Sequence, residues 1–171
     1  MEKMTPLKQP RIRESLLGAV IAGAVNGIIA WIALKGEVRV PLSMDSIGSP
    51  GITALGNAAT VVFSLTFINT CISFLIYRRI ARKAVEAPPE LRSMPFLSVG
   101  LGLAASNTIL QFGGFVAAAV LWQRLMGTIM VSPFIAAIIL GMIAMVAAAL
   151  ADLRTKREMM DKVLRSRAFA A

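Results

Sequence analysis

Four long apolar segments without a single charged side chain dominate this sequence. They run approximately over residues 15–34, 53–77, 96–122 and 133–150. Each is long enough to cross a hydrocarbon core of about 30 Å as an α-helix. A helix also satisfies every backbone hydrogen bond in lipid, whereas barrel strands would alternate polar and apolar residues. The sequence therefore predicts an all-α fold, a four-transmembrane-helix bundle.

The distribution of cations predicts the orientation of these helices. Fifteen of the 18 Lys and Arg residues lie in three stretches, at residues 3–13, 78–92 and 154–167. The other two connections carry only Lys35 and Arg39 in one and Arg124 in the other. Cationic loops are retained on the cytoplasmic side during insertion. We therefore expect one integral membrane domain over residues 1–171, with both termini and the middle loop in the cytoplasm. Its compact loops favour a bacterial cytoplasmic (inner) membrane.

The composition argues against several classes of function. Histidine is absent, and Cys71 is the only cysteine, so the usual metal and haem ligands are missing. No nucleophile has an obvious base, and we predict a protein that is not an enzyme and has no cofactor and no metal site. The pI near 10.9 reflects cations beside apolar segments, without the aromatic residues that stack on bases. We expect these cations to contact anionic lipid headgroups and not nucleic acid.

Local signals refine the helix limits. Ser49-Pro50 and Ser132-Pro133 match a serine N-cap followed by proline at the first helical position. In the first outer connection, residues 37–40 alternate in a way that is compatible with a short extended segment. Good helix formers continue past residue 150 into a cytoplasmic basic tail at 152–171, so we expect the last helix to extend there. Leu153, Met160 and Leu164 form a stripe on this extension, which would lie on anionic lipid or pack on a partner subunit, and a solvated basic tail is the alternative.

The first and third segments share a weak similarity. Residues 24–31 align with residues 105–112, which places Asn26 over Asn107. Two tandem helical hairpins, related by an axis along the membrane normal, would explain this pattern. Chance similarity between apolar helices would explain it as well, and the sequence leaves both explanations open.

Neutral polar side chains form a candidate layer near the middle of three segments. Its members are Asn26, Ser64, Thr66, Asn69, Asn107 and Gln111. Such groups either hold helices together by hydrogen bonds or contact a solute. No Asp, Glu, Lys or Arg lies within the four segments, which disfavours proton-driven transport through a buried carboxylate.

Small residues indicate where helices approach one another closely. Membrane helices without hydrophobic attraction pack through small side chains. The candidate packing positions are Gly23, Gly27, Gly113, Gly114 and Gly141.

Two functions from different classes fit these features. One is an oligomeric transporter or channel for a neutral or weakly polar solute, since four helices leave little room for a pathway within one chain. The alternative is a non-catalytic accessory or assembly subunit of a larger membrane complex. We accordingly expect the partners to be lipid together with either further copies of the chain or a larger complex.

Overall fold

The computed structural model describes residues 12–44, 53–83 and 89–168, and most of them are helical. Four helices are long and apolar enough to cross a membrane, which confirms the four predicted helices and supports a multi-pass membrane protein. Along the chain the elements are α1 (Ile12–Leu34), β1 (Val40–Leu42), α2 (Ala54–Lys83), α3 (Pro89–Ser93), a π-helical turn (Phe96–Gly100) that continues into α4 (Leu101–Met126), β2 (Ile129–Val131) and α5 (Pro133–Ala168).

Capping residues set two of the helix ends. The Ile135 amide donates to Ser132 Oγ at 3.4 Å, and the Ala136 amide donates to the Ser132 carbonyl at 3.0 Å. This confirms the predicted N-cap of α5. At the end of α4, Gly127 adopts a positive φ of 69°, which a residue with a side chain rarely tolerates. The predicted Ser49-Pro50 cap lies outside the described residues.

The helices do not pack simply in chain order. α5 has the central position, with α1 packed extensively on one side and α2 on another, while α4 packs mainly on α2. α2, α4 and α5 thus form a three-helix core, and α1 joins it through α5. The first helix of each half of the chain thus packs on the second helix of the other half: α1 packs on α5, and α4 packs on α2. The tandem duplication itself stays a prediction.

Two apolar clusters lie along the three-helix core. The first includes Leu34 on α1, Leu55 on α2 and Leu140 on α5. The second lies beyond the apolar part of α5 and joins Phe74 of α2, Leu91 of α3 and Met159 of α5. α3, which lies between α2 and α4, is therefore packed against the extension of α5 and helps to fix it.

The extension of α5 is helical as predicted, and the face that it buries within the chain is not the stripe of Leu153, Met160 and Leu164. Met159 and Val163 are buried against α2 and α3, whereas Leu164 is 60% exposed. Residues four apart share a helix face, and the buried face here continues from Ala151 and Thr155. The stripe of Leu153, Met160 and Leu164 looked more apolar in sequence, but α2 and α3 approach the other side of the helix.

A two-stranded sheet links the two connections at the opposite end of the helices. β1 pairs with β2 in antiparallel register, with Val40 opposite Val131 and Leu42 opposite Ile129. The Met44 amide also donates to Gln123 Oε1 at 2.8 Å. The strand therefore begins at the last residue of the predicted extended segment 37–40, and its partner strand at 129–131 was not predicted.

A candidate functional site between three helices

One polar face of α2 is turned into the three-helix core. Thr66, Asn69, Thr70 and Ser73 are spaced three or four residues apart and so share this face. Thr66 and Thr70 are fully buried, and Ser73 is nearly so. The opposite polar residues Thr60 and Ser64 are exposed. This difference places hydrogen-bonding groups where α2 meets α4 and α5.

Side-chain amides from α2 and α4 bind the backbone of α5. Asn69 Nδ2 donates to the carbonyl oxygen of Ala148 at 2.9 Å. With its amide oriented to satisfy its neighbours, Gln111 donates to the Ala147 carbonyl at 3.1 Å and accepts from the Ala151 amide at 3.1 Å. In that orientation its nitrogen also donates to Thr66 Oγ1 at 3.2 Å. The short alanine side chains of α5 make its backbone accessible to these amides, which fix its rotation and axial position.

Asn107 is fully buried at the point where all three helices meet. Its Nδ2 lies 3.3 Å from Thr70 Oγ1 on α2 and 3.3 Å from Thr155 Oγ1 on α5. Thr155 in turn donates to the Ala151 carbonyl at 2.6 Å. Among the described residues, Asn107 Oδ1 and the neighbouring Thr108 Oγ1 are buried without a hydrogen-bond partner. The centre of the interface therefore keeps unused hydrogen-bonding capacity.

A charged pair, Asp152 and Lys156, lies on α5 one turn beyond Ala148, the residue that Asn69 contacts. Asp152 Oδ1 accepts a hydrogen bond from Ser73 Oγ at 2.6 Å, and Asp152 Oδ2 accepts one from Lys156 Nζ at 2.6 Å. Lys156 Nζ also donates to Ser15 Oγ on α1 at 2.8 Å. The pair therefore connects α5 to both α1 and α2.

Sequence reasoning missed this pair because Asp152 follows the last apolar residue of the fourth segment. The side chains of Asp152 and Lys156 are only 16% and 15% exposed, so they belong to the helix interface and not to a solvated tail. The sequence signal was their spacing of four residues, which allows an ion pair on one helix face. The four predicted segments contain no charge, but a carboxylate is nevertheless largely buried at the end of one of them.

The remaining members of the predicted polar layer lie elsewhere. Asn26 Nδ2 donates to the Ala22 carbonyl of its own helix at 2.8 Å. Ser64 Oγ donates to the Thr60 carbonyl of its own helix at 2.8 Å and is exposed. The structure thus brings together Thr66, Asn69, Asn107 and Gln111 and leaves Asn26 and Ser64 apart.

The small residues of α1 and α5 form a close helix crossing. A Cβ added at Gly23 would lie 2.7 Å from Met145 Cβ and 2.8 Å from the Gly141 carbonyl oxygen. A Cβ added at Gly141 would lie 2.9 Å from the Gly23 carbonyl oxygen and 3.3 Å from Gly27 Cα. α1 is therefore attached to α5 by backbone proximity along this seam and by the Lys156–Ser15 hydrogen bond.

Gly113 and Gly114 are exposed, and their predicted packing role stays a prediction. No atom of the described residues lies within 4 Å of the position of a Cβ at either glycine. The buried residues of α4 lie mainly nearer its start and include Ala104, Asn107 and Thr108.

The chemistry of the site is that of a neutral hydrogen-bonded interface with one ion pair. Over residues 12–44, 53–83 and 89–168, no three His, Cys, Asp or Glu side chains gather in a way that could hold a metal ion. Hydroxyl and amide groups bind backbone groups or each other, and the ion pair is largely shielded from solvent. Such an arrangement holds helices in one register.

No protein-family description, curated protein or solved structure matches the chain.

Proposed function

We propose that the protein is a non-catalytic accessory or assembly subunit of a larger membrane complex. The observation that carries this proposal is the use of the inner polar groups in contacts between helices. Asn69 and Gln111 bind the α5 backbone, and Asn107 bridges hydroxyl groups of α2 and α5. Because these groups already form hydrogen bonds between helices, they favour a rigid helical unit over a pathway for a solute.

The packing of the helices supports the same proposal. α1 and α4 lie on different sides of the α2–α5 pair, and the outward faces of both are strongly apolar. In the most apolar stretch of each helix, only 17% of the residues of α1 and 28% of those of α4 are buried within the chain. Lipid or neighbouring membrane helices therefore cover these faces, and a subunit with two such helices offers contact surface on both sides.

The proposed orientation places the Asp152–Lys156 pair near the cytoplasmic surface of a bacterial inner membrane. The end of α2, α3 and the extension of α5 share this end of the molecule and carry most of the described cations. Positive charge is retained in the cytoplasm during insertion. Reporter tags at the N-terminus, in the connection at 84–88 and at the C-terminus should all report the cytoplasm, and opposite results from any two of them would exclude this orientation.

Purification from native membranes in a mild detergent tests the accessory role. We expect the chain to co-purify with the same larger partner in constant ratio. A variant that loosens the α1–α5 seam, Gly23→Leu, should reduce this association, whereas Gly18→Leu, at a position with no atom within 4 Å, should not. A homogeneous assembly that contains only this chain would contradict the proposal.

An oligomeric transporter for a neutral or weakly polar solute is the second candidate. The observation in its favour is the unused hydrogen-bonding capacity at Asn107 Oδ1 and Thr108 Oγ1. A buried acceptor without a partner is unfavourable in lipid, and a transient solute contact would satisfy it. Because one chain leaves little space, two or more copies would have to share the pathway.

Flux measurements in liposomes separate the two candidates. A transporter should move a defined solute, and Asn107→Ala should abolish that movement without unfolding the protein. Ser64→Ala is the matched control, since Ser64 is exposed and bonds its own helix. If no solute class shows flux with the folded protein, the transporter is excluded in favour of the accessory subunit.

A further inference from the structure

A crevice between α4 and α5 stays open although the two helices touch at its inner end. The helices meet where Asn107 contacts Thr155 and where Gln111 binds the α5 backbone, and the crevice lies beside Gln111 toward the β-sheet end of the molecule. The crevice encloses about 450 Å³, in the range of small-molecule sites. Its lining is almost entirely apolar and includes Val62, Leu110, Gly114, Ile143, Val146 and Leu150.

Glycine keeps this crevice wide. A side chain at position 114 would project into open space, because no described atom lies within 4 Å of its Cβ position. An apolar gap beside lipid would leave its walls without contacts if it were empty. Hydrocarbon from the surrounding bilayer is the chemically matched filling.

Cations lie on the crevice side of α5 immediately beyond its inner end. Ile143, Leu150, Arg154 and Arg157 follow one another at spacings of three, four or seven residues and so share one face of the helix. At a rise of 1.5 Å per residue, Arg154 lies about 6 Å and Arg157 about 10 Å beyond Leu150. These distances correspond to the passage from the hydrocarbon to the headgroup layer.

Both guanidinium groups have free donor capacity. Arg157 is exposed, and the Arg154 side chain is 35% exposed. The nearest carboxylate oxygen, Glu158 Oε1, lies 3.9 Å from Arg154 Nε, which is too far for a hydrogen bond. Within the described part of the chain, neither guanidinium group donates a hydrogen bond. Arginine is well suited to bind phosphate through two parallel hydrogen bonds.

We propose that the α4–α5 crevice is a binding site for one anionic phospholipid of the inner leaflet. One acyl chain lies in the crevice from Leu150 toward Ile143, and the phosphate contacts Arg154 and Arg157. The crevice length over these residues, about 10 Å, is most of the half-thickness of the hydrocarbon core. The proposal holds for an accessory subunit and for a transporter alike, because it rests only on the crevice and on the two arginines beside it.

To test this site, the full chain is released from nanodiscs of phosphatidylcholine and phosphatidylglycerol and examined by native mass spectrometry. We expect about one phosphatidylglycerol per chain to survive release, in preference to phosphatidylcholine. Gly114→Leu should remove it by filling the crevice. Gly113→Leu is the matched control, because position 113 is equally open but does not line the crevice.

A second pair of variants tests the headgroup contact without altering the membrane core. Arg154→Gln/Arg157→Gln should weaken retention about 25-fold, since each cation near a lipid surface contributes about fivefold. Arg79→Gln/Lys162→Gln removes the same charge from exposed positions elsewhere and should leave retention within about twofold. Equal retention by wild type and Gly114→Leu would overturn the proposal. Equal retention of the two lipids, or a cross-link from Leu110→Cys to another protein helix, would do so as well.

Discussion

The Ser73 hydroxyl donates a 2.6 Å hydrogen bond to the Asp152 carboxylate and so ties the end of α2 to α5. Asp152 also accepts from Lys156, which reaches Ser15 at the start of the membrane segment of α1. Three helices are therefore joined by one ion pair and two hydroxyl groups.

Loss of one charge should destabilise the protein more than loss of both. Asp152→Asn leaves the largely buried Lys156 ammonium without its counter-charge, and we expect the free energy of unfolding to fall by about 2 kcal/mol. Asp152→Asn/Lys156→Gln should recover at least half of that loss, because no unpaired charge remains. Unfolding in mixed micelles with increasing dodecyl sulfate measures both. As a control, Glu158→Gln removes the long contact to Arg154 and should change stability by less than about 0.5 kcal/mol.

The α1–α5 seam should be sensitive to a single added methyl group. In Gly23→Ala the new Cβ would lie within 3 Å of Met145 Cβ and of the Gly141 carbonyl, so the helices must separate. We expect a loss of about 1 to 3 kcal/mol in the free energy of unfolding, as for overpacked cores. Gly18→Ala meets no described atom and should be neutral or slightly stabilising. If both variants unfold at the same dodecyl sulfate fraction, the close crossing is wrong.

The amides that bind α5 should contribute modestly but measurably. Asn69→Leu and Gln111→Leu each remove hydrogen bonds to the α5 backbone, and each should lower stability by about 0.6 to 1.7 kcal/mol. Ser64→Ala should change it far less, since that hydroxyl only bonds the Thr60 carbonyl of its own helix. A Ser64→Ala effect as large as that of Asn69→Leu would mean that the outer face of α2 also has a partner.

The register of the two-stranded sheet can be trapped by disulfide formation. In a Cys71→Ser background, Leu42→Cys/Ile129→Cys places two thiols at directly opposed positions, where antiparallel pairs fall within the reach of a disulfide. We expect rapid cross-linking with a mild oxidant, detected as a mobility shift on a non-reducing gel. Leu42→Cys/Val131→Cys is two residues out of register and should cross-link much more slowly. The opposite preference would indicate a different strand pairing.

The sequence indicated the candidate polar residues of the site but not which of them would come together. Thr66, Asn69, Asn107 and Gln111 were candidates because polar groups are unusual in apolar segments, yet Asn26 and Ser64 met the same criterion. The two groups differ in helix rotation: α2 and α4 direct the first set toward α5, and the second set bonds its own helices. Rotation depends on contacts between distant segments, which no local pattern contains.

The sequence by itself determined the four long apolar helices and their approximate positions, because length and hydropathy decide what hydrocarbon accepts. The Ser132 cap and the continuation of α5 also followed from local residue preferences. Only the tertiary structure decided that α5 is central, that β1 pairs with β2 and that Asp152 is largely buried. The physical reason is that lipid stabilises each helix alone and supplies no hydrophobic attraction between helices. Which helices pack together therefore depends on small residues and single hydrogen bonds.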